Sequence, residues 1–178
     1  DSFVEFQSVP TQGAFGWEVF SVGGRQMLAV ANHHNDSTRK INSVIYEYSA
    51  RSDTFEVFQN VLTQGAYGWE AFSVGGRQML AVANYRDDST YKINSVIYEY
   101  SAASDSFVEF QSVPTQGAAG WEAFSVDGRQ MLAVANYHDD STRKINSAII
   151  VPQTAATVSV PSATAATGPT STVASISV

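Results

Sequence analysis

Cysteine is absent from all 178 residues, which excludes a disulfide scaffold, a thiolate metal site and a cysteine nucleophile. Basic residues are scarce. Ten Lys and Arg stand against seventeen Asp and Glu, a net charge of −7, and they are scattered, so no phosphate-tracking surface and no nucleic-acid partner is expected. No apolar run approaches the ~20 residues that a bilayer-spanning helix needs, so no membrane span is expected. Helical periodicity is missing too. From Pro152 to Val178 charged and aromatic residues disappear altogether, leaving Thr, Ser, Ala and Val punctuated by Pro152, Pro161 and Pro169. That tail reads as an extended linker or stalk, a substrate for O-glycosylation, or, through Thr157–Val160 and Val173–Val178, as strands that pair with something else. The chain opens on Asp1 with neither an initiator Met nor a leader, so it is expected to be processed or part of something longer.

What the chain does have is a repeat. Trp17, Trp69 and Trp121 are spaced by 52 residues, and Asp1-Ser2-Phe3, Asp53-Thr54-Phe55 and Asp105-Ser106-Phe107 open three near-copies. The units are 1–52, 53–104 and 105–151, followed by the tail 152–178. In the first unit, Phe3–Val9 is an aromatic and β-branched run ended by Pro10. A Gly-rich bend through Gly13 and Gly16 leads into Trp17–Val22. Gly23-Gly24 is a two-residue hairpin signal, with Gly75-Gly76 and Asp127-Gly128 in the same place, since a type I′ turn demands positive φ at both central positions. Arg25–Asn32 is the partner strand, and after a polar loop Asn42–Tyr48 is a fourth.

The central strand carries apolar residues on both faces, Leu28 and Val30 on one and Met27, Ala29 and Ala31 on the other. A sheet buried on both sides needs another stacked against each face, and radial stacking of four-stranded blades supplies this while hiding strand edges. The predicted fold is all-β: three four-stranded antiparallel blades of β-propeller type. Propellers have about 4 to 8 blades, so three blades make an incomplete ring or an open array with two wet apolar faces. A homo-oligomer, a filament or a fragment of a longer repeat chain is therefore expected.

The strings Phe6-Gln7, Gly13-Ala14, Trp17-Glu18-Val19-Phe20, Leu28-Ala29-Val30-Ala31-Asn32 and Ser43-Val44-Ile45-Tyr46 resemble the epilepsy-associated repeat, also called the EPTP repeat. The second copy carries the likeness through Trp69-Glu70-Ala71-Phe72 and Ser95-Val96-Ile97-Tyr98. The third carries it through Trp121-Glu122-Ala123-Phe124, with Ser147-Ala148-Ile149-Ile150 lacking the tyrosine. The resemblance implies a seven-bladed propeller on secreted or cell-surface proteins that binds other proteins.

Catalysis would need acid, base and nucleophile in distinct environments. Glu18, Glu70 and Glu122 instead follow the repeated Trp and read as groups that fix the blades, with Trp17, Trp69 and Trp121 as core anchors. No enzyme is expected. The copies diverge at Phe15, Tyr67 and Ala119, and in the loops that open on His33-His34, Tyr85-Arg86 and Tyr137-His138. Variable loops on a rigid scaffold are where recognition sits. The candidate partner-binding residues are therefore Phe15, Tyr67, His33, His34, Tyr85, Arg86, Tyr137 and His138. His33 and His34 read as an exposed loop rather than a metal pair, because neighbours on an extended chain point to opposite sides. Asp36, Asp87, Asp88, Asp139 and Asp140 offer oxygen ligands of the kind calcium takes, at a spacing that matches no EF-hand. Calcium is the one cofactor considered. Asn35-Asp36-Ser37 is a glycosylation sequon. Three functions follow: an extracellular or cell-surface recognition and adhesion module acting on a protein partner, a structural subunit of a filament or surface appendage, or a glycan-binding lectin.

Overall fold

The computed structural model describes residues 1–153 and holds eleven strands and no helix among them. Expectations placed on the tail from Thr154 onward lie outside the described residues. The first sheet runs β1 (Ala14–Val22), β2 (Arg25–Asn32), β3 (Lys40–Ser49) and β4 (Thr54–Gln64) in spatial order. The second repeats this order with β5 (Ala66–Val74), β6 (Arg77–Asn84), β7 (Asn94–Ser101) and β8 (Ser106–Pro114). The third has β9 (Ala118–Val126), β10 (Arg129–Asn136) and β11 (Ala148–Ile150). All pairings are antiparallel meanders, and the sheets do not close into a ring. The hairpins form where the sequence places them: Gly23 and Gly24 have φ of 57° and 81°, and Asp127 and Gly128 have 51° and 76°.

Among the described residues the third sheet has three strands. One expectation needs correction: the opening run of the first repeat, Phe3–Val9, is not a strand. Its counterparts in the later copies, β4 and β8, pair with β3 and β7 of the preceding repeat. Sheets therefore span residues 14–64, 66–114 and 118–150, out of phase with the sequence units by one strand. The reason is geometric. A turn of a few residues, Ser49 to Asp53, folds the chain straight back onto β3, with Asp53 in the left-handed region and its N–H donating to the Ser49 carbonyl at 2.8 Å.

Core residues fill the space between sheets rather than within one. Val22, Met27, Ile45, Trp69, Leu80, Val82 and Phe107 make one cluster from two sheets. Phe72, Met79, Ile97, Trp121, Leu132 and Val134 make its counterpart one repeat on. The tryptophans are the wedges. Trp69 Nε1 donates to the Val30 carbonyl and Trp121 Nε1 to the Val82 carbonyl, both at 3.1 Å, so each inner strand is pinned to the sheet before it. Trp17, read as a core anchor, has no sheet in front of it among the described residues and is 46% exposed, against 6% for Trp69 and 7% for Trp121.

Candidate functional site

The residues where the copies diverge converge on one end of the stack, and the backbone puts them there. Each inner strand begins with a register slip: Ala14 faces Asn32 but Gly16 faces Ala31, and the same happens at Ala66/Gly68 and Ala118/Gly120. The extra residue is Phe15, Tyr67 or Ala119. A bulge of this kind re-aims one side chain out of the pleat. The facing loop is docked by a glycine, as the His33 N–H donates to Gly13 O, Tyr85 N–H to Gly65 O and Tyr137 N–H to Gly117 O, all at 3.1 Å. Gly65 has a φ of 56°, and a Cβ there would stand 2.5 Å from the Arg86 carbonyl, so this approach requires glycine.

The outcome is a continuous aromatic ridge across all three sheets. Ring centroids are 4.4 Å apart for Phe15 and Tyr67, 4.2 Å for the stacked Tyr67 and Tyr85, and 5.7 Å for Tyr85 and Tyr137. Tyr91 meets Tyr85 edge-on at 5.1 Å and His138 at 4.7 Å. Two cations lie on the ridge. Arg86 covers Tyr91 and donates to its hydroxyl at 3.2 Å, while Arg143 covers Tyr137 and donates to its hydroxyl at 2.8 Å. Phe15 and Tyr137 are exposed, and Tyr67, Tyr85, Arg86 and His138 are half-buried. Burial, with Tyr67 and Tyr91 alongside, pushes the Tyr85 phenol well above its ordinary pKa, so it remains a hydrogen-bond donor through the physiological range.

His33 departs from the exposed loop expected of it. It is 6% exposed, packed under Phe15, Tyr67 and Tyr85 with centroids at 4.6, 5.1 and 5.9 Å, and His34 stands edge-on to it. Burial holds its imidazole below the usual histidine value, with the positive fields of His34 and Arg39 acting in the same direction. It serves as the floor of the ridge, and His34 remains exposed beside it. Tyr91 and Arg143 escaped the sequence reading because the loop position they share reads Arg39, Tyr91 and Arg143, a mixture of types that gave no pattern. Cation over ring is the property that unites them.

The acidic loops are closed by hydrogen bonds within the chain. Asp87 Oδ1 accepts from the N–H groups of Ser89 and Thr90, Asp139 Oδ1 from those of Ser141 and Thr142, and Asn35 Oδ1 from those of Ser37 and Thr38. These are side-chain turns closing each loop on itself. Asp88 and Asp140 reach back one sheet to the hydroxyls of Thr38 and Thr90 and to the N–H groups of Arg39 and Tyr91. Both carboxyls are held below the ordinary aspartate range, first by the threonine hydroxyl and then by the backbone donor. Asp36 sits exposed in the first loop. Among the described residues no three His, Asp or Glu side chains gather within reach of one metal ion. Asn35 lies on an exposed loop, with its amide oxygen engaged in the turn.

The glutamates lie on the inner strands. Glu18 Oε1 accepts from the Ala71 N–H and Glu70 Oε1 from the Ala123 N–H, both at 3.0 Å, linking consecutive sheets. Burial raises both carboxyls above the ordinary glutamate range, the backbone donor opposes this, and the neighbouring glutamate charges add to it. Glu122, at the last sheet, is exposed. Arg25 draws a further link, donating to Glu47 at 3.1 Å, to the Tyr100 hydroxyl at 2.9 Å and to Asp105 at 2.6 Å.

Comparison with known proteins follows the same period. The chain is 39% identical over 151 residues to the thrombospondin-type laminin G domain and EAR repeat-containing protein of Homo sapiens, covering 85% of this chain and 23% of that protein. It is 40% identical over 149 residues to the protein of the same description in Mus musculus, covering 84% of this chain and 22% of that one. It therefore spans less than a quarter of the length of the curated relatives it matches. The EPTP domain matches three times, at residues 2–49, 54–101 and 106–150, the second and third matches starting on β4 and β8, the strands that complete the preceding sheets. With its repeats matched end to end in this way, the chain belongs to the EPTP domain family.

Proposed function

We propose that this chain is a non-catalytic recognition module that works outside the cell and engages a protein partner through the aromatic ridge. The observation that carries this reading is the coincidence of variability and rigidity. Phe15, Tyr67, Tyr85, Tyr137 and His138 sit where otherwise near-identical copies differ, and bulges, glycine-docked loops and stacking hold them in place. Rigid tyrosines and stacked arginines are the residue types that dominate binding energy at protein interfaces, because they bury large areas with little entropy lost. The relatives' description, which joins EAR repeats to a laminin G domain of thrombospondin type, supports an extracellular setting.

The test is an array of extracellular protein domains and an array of glycans, both probed with the 178-residue chain. Protein ligands should emerge whose affinity falls at least about tenfold in a Phe15→Ala, Tyr67→Ala, Tyr137→Ala triple variant. Ligands that ignore the triple variant would sink the ridge as the site. Hits confined to glycans would favour the lectin reading, with the same tyrosines stacking on sugar rings. A structural-subunit reading is favoured by one separate observation: the bonds between successive sheets are repeated unchanged, so an array can grow by the bonds that already hold it together.

A further inference from the structure

One bond of the ridge is made in the third copy and missing from the first. Arg143 Nε donates to the Tyr137 hydroxyl at 2.8 Å, with the guanidinium 5.1 Å from the ring centre. The first copy keeps the arginine as Arg39 but has His33 in the place of the tyrosine. An imidazole is shorter than a phenol, and the bond is lost. Arg39 Nε and His33 Nδ1 are both buried, and among the described residues neither has a hydrogen-bond partner. Both side chains border Gly65, where a Cβ would stand 3.2 Å from His33 Cε1 and 3.4 Å from Arg39 Cδ. Two unmade polar groups therefore lie together between the first sheet and the second.

Buried polar atoms without partners are rare, because each gives up its hydration with no bond in return. The tyrosine that the other two copies carry at this place would offer Arg39 an acceptor. What histidine adds is a proton taken up in mild acid. The surroundings make that proton consequential. From its own loop His33 is faced by His34 and Arg39, and from β1 by Phe15. From the second sheet it meets the phenols of Tyr67 and Tyr85 and the carbonyls of Gly65 and Ala66. The Asp88 carboxylate is engaged by the Thr38 hydroxyl and stands 3.9 Å from Arg39, while Asp36 is exposed. Burial is the largest influence against an imidazolium here, and the two basic neighbours add to it, while the two carbonyls oppose it. Hydrating the charged ring requires the aromatic roof to open.

We propose that His33 is a proton switch for the ridge. Protonation lifts Phe15 and Tyr67 off the imidazole, breaks the row of rings at its first-sheet end and releases the protein partner held there. The release rests on the ridge being the binding surface, whereas the opening does not. A partner seated on Phe15 and Tyr67 covers His33 further and so selects the neutral ring. Its dissociation constant should then rise by up to about tenfold per pH unit below the His33 midpoint, the slope for one excluded proton.

Proton NMR of the free 178-residue chain, from about pH 8 to about pH 5, tests the opening without any partner. The His33 Cε1 proton should titrate with a midpoint below the ordinary histidine value. The nuclear Overhauser contact between the Phe15 and Tyr67 rings, 4.4 Å apart, should fade with the same midpoint. The contact between Trp69 and Tyr98 in the core, with centroids at 6.1 Å, should persist and so separate opening from unfolding. Arg39→Gln removes one neighbouring charge and should move both midpoints upward together. His33→Tyr should keep Phe15 against Tyr67 throughout the range. A Phe15–Tyr67 contact that survives the titration of His33 would overturn the switch, as would fading that persists in His33→Tyr or an Arg39→Gln variant that moves one midpoint alone. For a protein ligand found with the arrays, the loss of affinity in acid should disappear in His33→Tyr. A ligand that binds equally well once the ridge has opened would leave the opening intact and overturn the ridge as its binding surface.

Discussion

Trp17 and Trp69 occupy the same place in the repeat, on the same inner strand, beside the same glutamate, and one is surface while the other is core. Nothing local separates them. The difference is that β2 lies in front of Trp69, and among the described residues no sheet lies in front of Trp17. In a stacked-sheet protein burial belongs to the interface between units, so equal residues in unequal positions carry unequal energies. The most direct way to break this comparison is substitution to alanine. Trp69→Ala removes a buried indole and orphans the Val30 carbonyl, a loss of about 3–5 kcal/mol in denaturant unfolding. Trp17→Ala should leave the unfolding midpoint of this chain within error. Equal losses at both positions would mean that Trp17 stabilises its own sheet.

The period and the hairpins were legible because both rest on local chemistry: recurrent Trp, Gly-Gly pairs and alternating apolar runs. Two features were not. Where a repeat is cut is arbitrary in a periodic string, so the run Phe3–Val9 looked like the first strand of its own unit. Only the pairing of β4 with β3 reveals that it finishes the sheet before. The burial of His33 was equally hidden, since the other copies have tyrosine there and a His-His pair in a polar loop looks solvated. Divergence between copies did locate most of the ridge, from Phe15 to His138. The glutamine clamps of Gln7 and Gln59 and the Arg25 cluster went unread because residues that never vary give no contrast when only three copies are compared.

Glu70 and Glu122 sharpen the same comparison with a polar group. Glu70→Ala strands the Ala123 N–H and should cost about 1–3 kcal/mol, the penalty of an unmade bond at a partly buried site. Glu122→Ala should be close to neutral. Glu70→Gln keeps an acceptor oxygen and removes a desolvated charge, so it should cost less than the alanine change. Because folding raises the carboxyl pKa of Glu18 and Glu70, their contribution is fully present below the ordinary glutamate value and is lost as the pH rises through the folded-state value. The Glu70→Gln variant should therefore lose part of the dependence of its melting temperature on pH in that acidic range.

His33 works in the opposite sense and in another range. Its pKa is lowered on folding, so the unfolded chain takes up the proton first, near the ordinary value of about 6.5. Stability from this residue is full above that value and erodes as the pH falls below it. The melting temperature should decline between about pH 7 and pH 5.5. The decline should flatten in His33→Tyr, which installs the residue of the second and third copies.

The smallest expected effect separates Asp88 from Asp36, which occupy one loop position in two copies. Asp88 takes the Thr38 hydroxyl at 2.6 Å and the Arg39 N–H at 2.8 Å across a sheet boundary, whereas among the described residues no sheet lies ahead of the first loop to offer Asp36 the same pair. The accompanying contact between Arg39 and Asp88, at 3.9 Å and largely in solvent, adds little. Asp88→Ala should lower the melting temperature measurably, and Asp36→Ala should not. Asp88 accepts these bonds only as a carboxylate with its pKa held low, so its advantage over Asp36 should persist at neutral pH and vanish as the pH falls through that lowered value. Calcium enters the same experiment as a competitor. If the loop aspartates are acceptors for the chain's own hydroxyl and N–H groups, chelator and added calcium should give one melting curve for the wild-type protein. A calcium-dependent rise that Asp88→Ala abolishes would instead make these loops a cation site.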